Sequence, residues 1–340
     1  MSLKALDAVI AKLPGRIGPE QVDALATALG KRVGNAELGR LRELLDGGYQ
    51  RCSKAGLVAL EMLAQKPAPD RAQVTFKVDG EFSTGVREQS AMCFLSERHG
   101  FAVIDDESSV VWRVPLPKKK EELAAQALRE NDGHLKGLEA LAHDEEAKVL
   151  LTLSEDNRTI HELPVELEGP RVELGEPRAL GKLPDLTRRK NKGWEGLTVV
   201  PAALAPDHRP RLLAVQEGLP PLVCIFHRDT LALEAKLELP AEAIKFLPDV
   251  SDVAFDPKTN HLFLLSDEGN AIYECILASR SRARGGQLLT EWGLIPLGET
   301  LLPELPGKVE RQAEGLTFDH RGDLFVAGEG ETSLLRLRRE

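Results

Sequence analysis

The sequence lacks the marks of several large protein classes. In 340 residues it has no run of 18 consecutive apolar residues, although 42% of the chain is hydrophobic. A helix that crosses a bilayer needs about 20 such residues, so none is expected here. Cysteine is scarce and scattered, at Cys52, Cys93, Cys224 and Cys275. No C-x-x-C pair occurs, which argues against a zinc site of that kind. Cys93, Cys224 and Cys275 sit in apolar strand-like runs and read as small buried hydrophobes. There is no G-x-S-x-G, no phosphate loop and no dinucleotide fingerprint. A basic surface is also missing. The net charge is −10, whereas nucleic-acid binding rests on a positive stripe against phosphate. The short runs Lys118–Lys120 and Arg188–Lys190 read as solvated loop charge. The first residues carry Asp7 and Lys12 among apolar positions at helical spacing, so no secretory signal is expected and the expected location is cytoplasmic.

What the chain does contain changes character once. Over residues 1–66 apolar positions recur at intervals of three and four, as in Leu3, Leu6, Val9, Ile10 and Leu13. That spacing predicts a small α-helical domain. Pro67 and Pro69 oppose helix continuation, and residues 67–72 read as a linker. Beyond it, over residues 73–340, short β-prone runs alternate with Gly, Pro and Asp turns.

Five segments in this region share one grammar, starting at Gln89, Leu138, Trp194, Ser251 and Ala313. A small or acidic residue precedes a short apolar strand, then come a polar turn, a second apolar strand ending in acid, and a third strand. Repeats of this length predict a β-propeller, in which each blade buries its faces only by stacking on its neighbours. Strands packed on both faces also explain the weak period-2 alternation. The fold class is therefore mainly β, with five visible blade repeats and room for a degenerate sixth in the long inter-repeat stretches. The last repeat ends near the C-terminus without an outer strand. The strand-like run AQVTFKVDGEF after the linker is expected to supply it and close the ring. Lys118–Asn131 reads as a helix where an outer strand is due. DPKTNH at 256–261 and DHRGD at 319–323 read as hairpin turns, with Asn260 and Gly322 suited to positive φ. His99, His143, His208, His261 and His320 fall in or beside turns and read as solvent-exposed.

Three phrases carry a resemblance: GWEGLTVVP at 193–201, DVSDVAFDPKTNHLFLLSDEG at 249–269 and QAEGLTFDHRGDLFVAGE at 312–329. In them residues 75–338 resemble the SdiA-regulated, YjiK-like propeller family, and more distantly the esterase-like phytases. The resemblance implies a bacterial β-propeller, and through the phytases a hydrolase. Residues 1–66 lie outside it.

The repeats also place acids at equivalent positions. Ser90, Glu139, Glu195, Asp252 and Glu314 head the first strands; Asp106, Glu155, Glu217, Asp267 and Glu329 end the second strands. Antiparallel pairing brings both sets to one mouth of the central channel. Crowded carboxylates repel one another unless a cation or water screens them. Oxygen ligands in a flexible ring suit Ca²⁺, with Glu139, Glu195, Asp252, Glu314, Glu217 and Glu329 as candidate ligands. The alternative is that each acid accepts backbone N–H bonds and ties blades together. Two functions fit. One is a cation-binding scaffold for a protein partner, docked through the helical domain, or for a small anionic ligand at the mouth. The other is a metal-dependent hydrolase of phosphate or carboxylic esters, in which Glu155 or Asp267 activates water.

Overall fold

The computed structural model describes residues 72–105, 107–118, 123–130, 135–186, 193–205, 207–218, 220–239, 243–256, 258–284, 287–303, 312–329 and 332–340, with backbone only at 280–284, 287–289 and 329. The expected helical domain (1–66) and all but the last residue of the linker (67–72) lie outside the described residues.

The first strand, β1 (Phe76–Ser83), does not pair with its neighbour in sequence. Blade one is β2 (Gln89–Ser96), β3 (Gly100–Asp105), β4 (Val110–Val114) and β5 (Gln126–Arg129). Blade two is β6 (Leu138–Asp144), β7 (Val149–Ser154) and β8 (Thr159–Glu166), edged by the short β9 (Glu173–Leu174) and by β10 (Arg178–Lys182). Blade three is β11 (Trp194–Val200), β12 (Arg211–Gln216), β13 (Leu222–His227) and β14 (Leu233–Leu237). Blade four is β15 (Asp252–Asp256), β16 (His261–Ser266) and a long hairpin, β17 (Ala271–Arg284) with β18 (Gln287–Leu301). Blade five is β19 (Gln312–Phe318), β20 (Leu324–Glu329) and β21 (Ser333–Arg339), completed by β1, which pairs antiparallel with β21 from Phe76↔Arg339 to Ser83↔Ser333. Five sheets make a five-bladed propeller, and no sixth blade exists among the described residues. This last sheet joins strands from both ends of the described chain, so neither β1 nor β21 leaves a bare inner edge.

The core is a set of wedges between blades. Leu213 and Val215 of β12 pack toward blade four, while Leu212 and Ala214 pack toward blade two. In β16, Leu262 and Leu264 face blade three, and Phe263 and Leu265 face blade five. Both sets are buried to 1% exposure or less. A strand with two buried faces needs apolar residues at consecutive positions, which is why runs such as RLLAVQ and HLFLLS do not alternate. Six phenylalanines gather at the two junctions of blade five. Phe76, Phe263 and Phe318 cluster on its blade-four side, and Phe94, Phe101 and Phe325 on its blade-one side.

One local expectation is corrected. Within Lys118–Asn131, read as a helix, residues Gln126–Arg129 are strand β5, paired with β4 from Val111↔Arg129 to Arg113↔Gln126. The open edge of β4 overrides a helical propensity worth only tenths of a kcal/mol per residue. The two hairpin turns form as expected, with φ of 63° at Asn260 and 85° at Gly322.

Candidate functional site

The inner strands β2, β6, β11, β15 and β19 meet around the axis, and their heads share one mouth of the channel. Each head carries the same irregularity. Register slips between Gln89 and Ala91, Leu138 and Ala140, Trp194 and Gly196, and Ala313 and Gly315. Ser90, Glu139, Glu195 and Glu314 are the residues skipped. In blade four, Ser251 N–H bonds Leu265 O at 3.0 Å while Asp252 also opposes Leu265, so the same extra residue is present. A bulge leaves one residue outside the ladder and re-aims its side chain.

Small residues follow the bulges in four blades, at Ala91, Ala140, Gly196 and Gly315, and Asp252 takes that place in blade four. With five blades the inner strands crowd here. A Cβ on Gly196 would lie 2.7 Å from Asp252 Cα, and one on Gly315 would lie 3.3 Å from the Ala91 carbonyl carbon. At Gly196 the next blade's backbone occupies the space of a side chain, and Gly315 of the second E-G-L phrase is in tight contact with it.

At the head mouth two of the acids, Asp252 and Asp267, bind the backbone of the next blade. Asp252 is 2% exposed and its Oδ2 accepts the Leu316 N–H of the next blade at 2.6 Å, while Oδ1 accepts Val253 N–H at 2.7 Å. Burial pushes its carboxyl well above the usual range. Asp267 Oδ1 accepts the Ala313 N–H at 3.1 Å. Both acids stitch blade four to blade five, joined by Ser251, whose hydroxyl donates to Ala313 O at 2.7 Å. Ser90 does the same between blades one and two, donating to Leu138 O at 3.0 Å. Glu139, Glu195, Glu217 and Glu314 are partly exposed. Glu155 is also partly exposed and lies against Gly193; burial first, then Asp156 and Glu217, raise its pKa. The Glu329 side chain and Asp106 are outside the described residues. Among the described residues no three His, Cys, Asp or Glu side chains gather closely enough to hold a metal ion.

The opposite mouth, where the inner strands end, is built differently. It opens into a cavity of about 750 Å³ lined by consecutive residues of the inner strands. Its floor is Met92, Leu141, Leu197, Val253 and Leu316, just above the neck, and its walls include Phe94, Phe255, Phe318 and Pro201. Ser96, His143, Thr198 and Thr317 add polar groups, and the rim carries Glu97, Asp144, Glu145, Glu146, Asp319 and His320.

His143 is the cavity's most informative group. Its Nδ1 lies 3.1 Å from Phe94 O. A carbonyl only accepts, so Nδ1 carries the proton and, in the neutral ring, Nε2 is a bare acceptor. Burial lowers the pKa of His143 below the ordinary 6.5, which keeps the ring neutral near pH 7. His320 stacks on Phe94 at 5.9 Å between ring centres and lies 3.4 Å from Glu97. Asp144 is spoken for: Arg228 Nε binds its Oδ2 at 2.9 Å and Arg228 Nη2 binds Glu162 Oε1 at 2.7 Å, all three being buried.

The histidines correct the expectation of exposed turn residues. His208 and His320 are exposed. His99 is 4% exposed, bonded to Ser96 Oγ at 2.7 Å and Gly169 O at 3.0 Å, and His261 is fully buried against Glu274 at 2.5 Å. His143 is half-buried on β6, between the buried Ala142 and Asp144. The signal for it was in the repeats: paired in register, SAMCF, EALAH, EGLTV, SDVAF and EGLTF align, and only the second ends in a polar residue. Asp256, one residue past Phe255, caps its own turn through Lys258 N–H and Thr259 Oγ1.

Residues 177–332 match the SdiA-regulated family. The SdiA-regulated span runs from β10 to the end of blade five's second strand, so it holds Leu197, Thr198, Phe255 and Phe318 of the cavity, while Phe94 and His143 precede it. No curated protein matches the sequence. Among solved structures, the chain is similar to one from a nidogen/laminin complex, at 13% identity and a TM-score of 0.40 over 72% of this chain and 73% of that one. It is also similar to the Cps50 (Swd1) β-propeller domain of Myceliophteria thermophila, at 12% identity and a TM-score of 0.41 over 77% and 99%.

Proposed function

We propose that this propeller is a binding scaffold that receives a small, largely apolar molecule in the cavity at the tail mouth of its channel. The observation that carries the reading is the cavity itself. Its volume falls within the roughly 300–1,000 Å³ of small-molecule sites, and an apolar wall with a few placed polar groups is the usual composition. It is formed by all five blades, so its shape follows from the closed ring rather than from one loop. The cation-binding version of the scaffold and the ester hydrolase both belong to the head mouth. The hydrolase draws support from Glu155 alone, a carboxyl with a raised pKa beside Glu217.

A thermal-shift screen of small aromatic and aliphatic compounds tests the cavity reading. Thr198 is a partly exposed lining residue on β11, and Thr198→Trp should fill the space without unfolding the blade. A ligand at a hundredfold excess over its Kd stabilises the folded state by about 2.7 kcal/mol. Hits should raise the Tm of the wild type and not that of Thr198→Trp. Equal shifts in both proteins would place the binding elsewhere.

A further inference from the structure

We infer that the cavity selects a cationic ligand, an amine on an aromatic or apolar body, and rejects carboxylates and phosphates. The inference rests on the cavity reading above and names the ligand class for it.

The charge around the opening is one-sided. Five carboxylates line the cavity, Glu97, Asp144, Glu145, Glu146 and Asp319, and no lysine or arginine does so among the described residues. Asp144 is neutralised by Arg228, and Asp319 is engaged by the backbone N–H groups of Arg321 and Asp323 at 2.8 and 2.9 Å. Glu97 faces His320 and Arg321. Glu145 and Glu146 are exposed and follow His143 and Asp144 in sequence. An anion entering here would meet their repulsion, with no cationic side chain in the lining to answer it. An ammonium group would meet attraction from both, because clefts of one sign concentrate the opposite charge.

The deeper polar group has the same preference. With Nδ1–H donated to Phe94 O, His143 offers Nε2 as an acceptor. A carboxylate has no proton to give it at neutral pH, whereas an ammonium has three. The wall of Phe94, Phe255 and Phe318 suits the rest of such a molecule. Aromatic faces attract an organic cation and stack on an aromatic ring.

Three probes of one shape separate the possibilities: 3-phenylpropylamine, 3-phenylpropan-1-ol and 3-phenylpropionate, titrated into the full chain and followed by ligand-observed NMR. The amine should bind about tenfold more tightly than the alcohol, as expected when a hydrogen bond becomes charge-assisted, and the carboxylate should bind worst. Glu145→Gln with Glu146→Gln, both on the surface, should cut the amine's advantage to about twofold or threefold, and added salt should do the same. His143→Leu should weaken amine and alcohol together, because both donate to Nε2. If the carboxylate binds as well as the amine, or if the amine's advantage survives the Gln pair, the cation inference is overturned. In that event the cavity reading still stands, provided Thr198→Trp abolishes binding of all three probes. If none of the probes binds the wild type, both readings fall.

Discussion

The two mouths of the channel are made from the same five strands and do opposite things with polar residues. At the head mouth, Ser90, Ser251, Asp252 and Asp267 spend their hydrogen bonds on the backbone of the next blade. At the tail mouth, His143 spends one nitrogen on Phe94 O and keeps the other for the cavity. The difference has a geometric cause. At the heads the inner strands come so close that Gly196 has no room for a side chain and Gly315 has little. Polar groups held there find backbone partners before they find a ligand. At the tails the strands diverge, and about 750 Å³ opens between them. Recurrence of acids across blades is therefore a sign of repeated stitching as much as of a shared site.

The contrast is most vulnerable at the tail mouth. Arg228→Met leaves Asp144 buried without its ion-pair partner, while Glu162 keeps Arg178. Removing one side of a buried ion pair costs about 3–5 kcal/mol. Urea unfolding should show a loss of that order, with the tail mouth failing at the junction of blades two and three. A loss below about 1 kcal/mol would mean that water reaches these carboxylates and that the tail mouth is looser than described.

A finer test sets the mouths against each other in pH. Glu155, at the head mouth, has its pKa raised from 4.5 by burial and by Asp156 and Glu217. The folded state holds that proton longer than the unfolded one, so the group's contribution to stability is present below pH 4.5 and is lost as pH climbs through the raised value. His143, at the tail mouth, has its pKa lowered from 6.5, chiefly by burial, against the opposing pull of Phe94 O, Glu145 and Asp144. Its contribution is present above 6.5 and is lost as pH falls through the lowered value. Relative to the wild type, the Tm of Glu155→Gln should therefore improve as pH rises above 4.5, and that of His143→Phe should improve as pH falls below 6.5. Parallel trends in the two variants would remove the contrast.

The smallest effect is expected from the acids that head the strands. Glu195→Gln with Glu314→Gln alters partly exposed side chains, and surface changes of this kind usually move stability by no more than about 0.5 kcal/mol each. Differential scanning calorimetry of this pair and of the wild type, each with calcium and with EDTA, also tests for an ion at the head mouth. A calcium-dependent rise in Tm that the double variant lacks would place a cation there.

Much of the architecture was legible because propeller blades repeat. Consecutive apolar residues in RLLAVQ and HLFLLS signalled strands covered on both faces, and Asn260 and Gly322 marked their turns by the φ that each tolerates. The strand over Gln126–Arg129 was not legible, since only the waiting edge of β4 makes those residues extended. The site was half legible. Aligned repeats drew attention to acids, the residues that recur, whereas His143 matters because it departs from the repeat.

The blade grammar is written in the chain itself: which short runs are strands, where they turn, and that a small residue follows the strand head in four of the five blades. These are local properties, decided by backbone conformation and by the number of faces each strand must bury. The roles of the polar residues are set elsewhere, by the assembled ring. Whether Asp252 binds an ion or a neighbour's N–H depends on how near Leu316 lies, 64 residues away. Whether His143 faces water or a cavity depends on how five inner strands splay about one axis. Neither distance is encoded near the residue it governs, because both are fixed only when the ring closes.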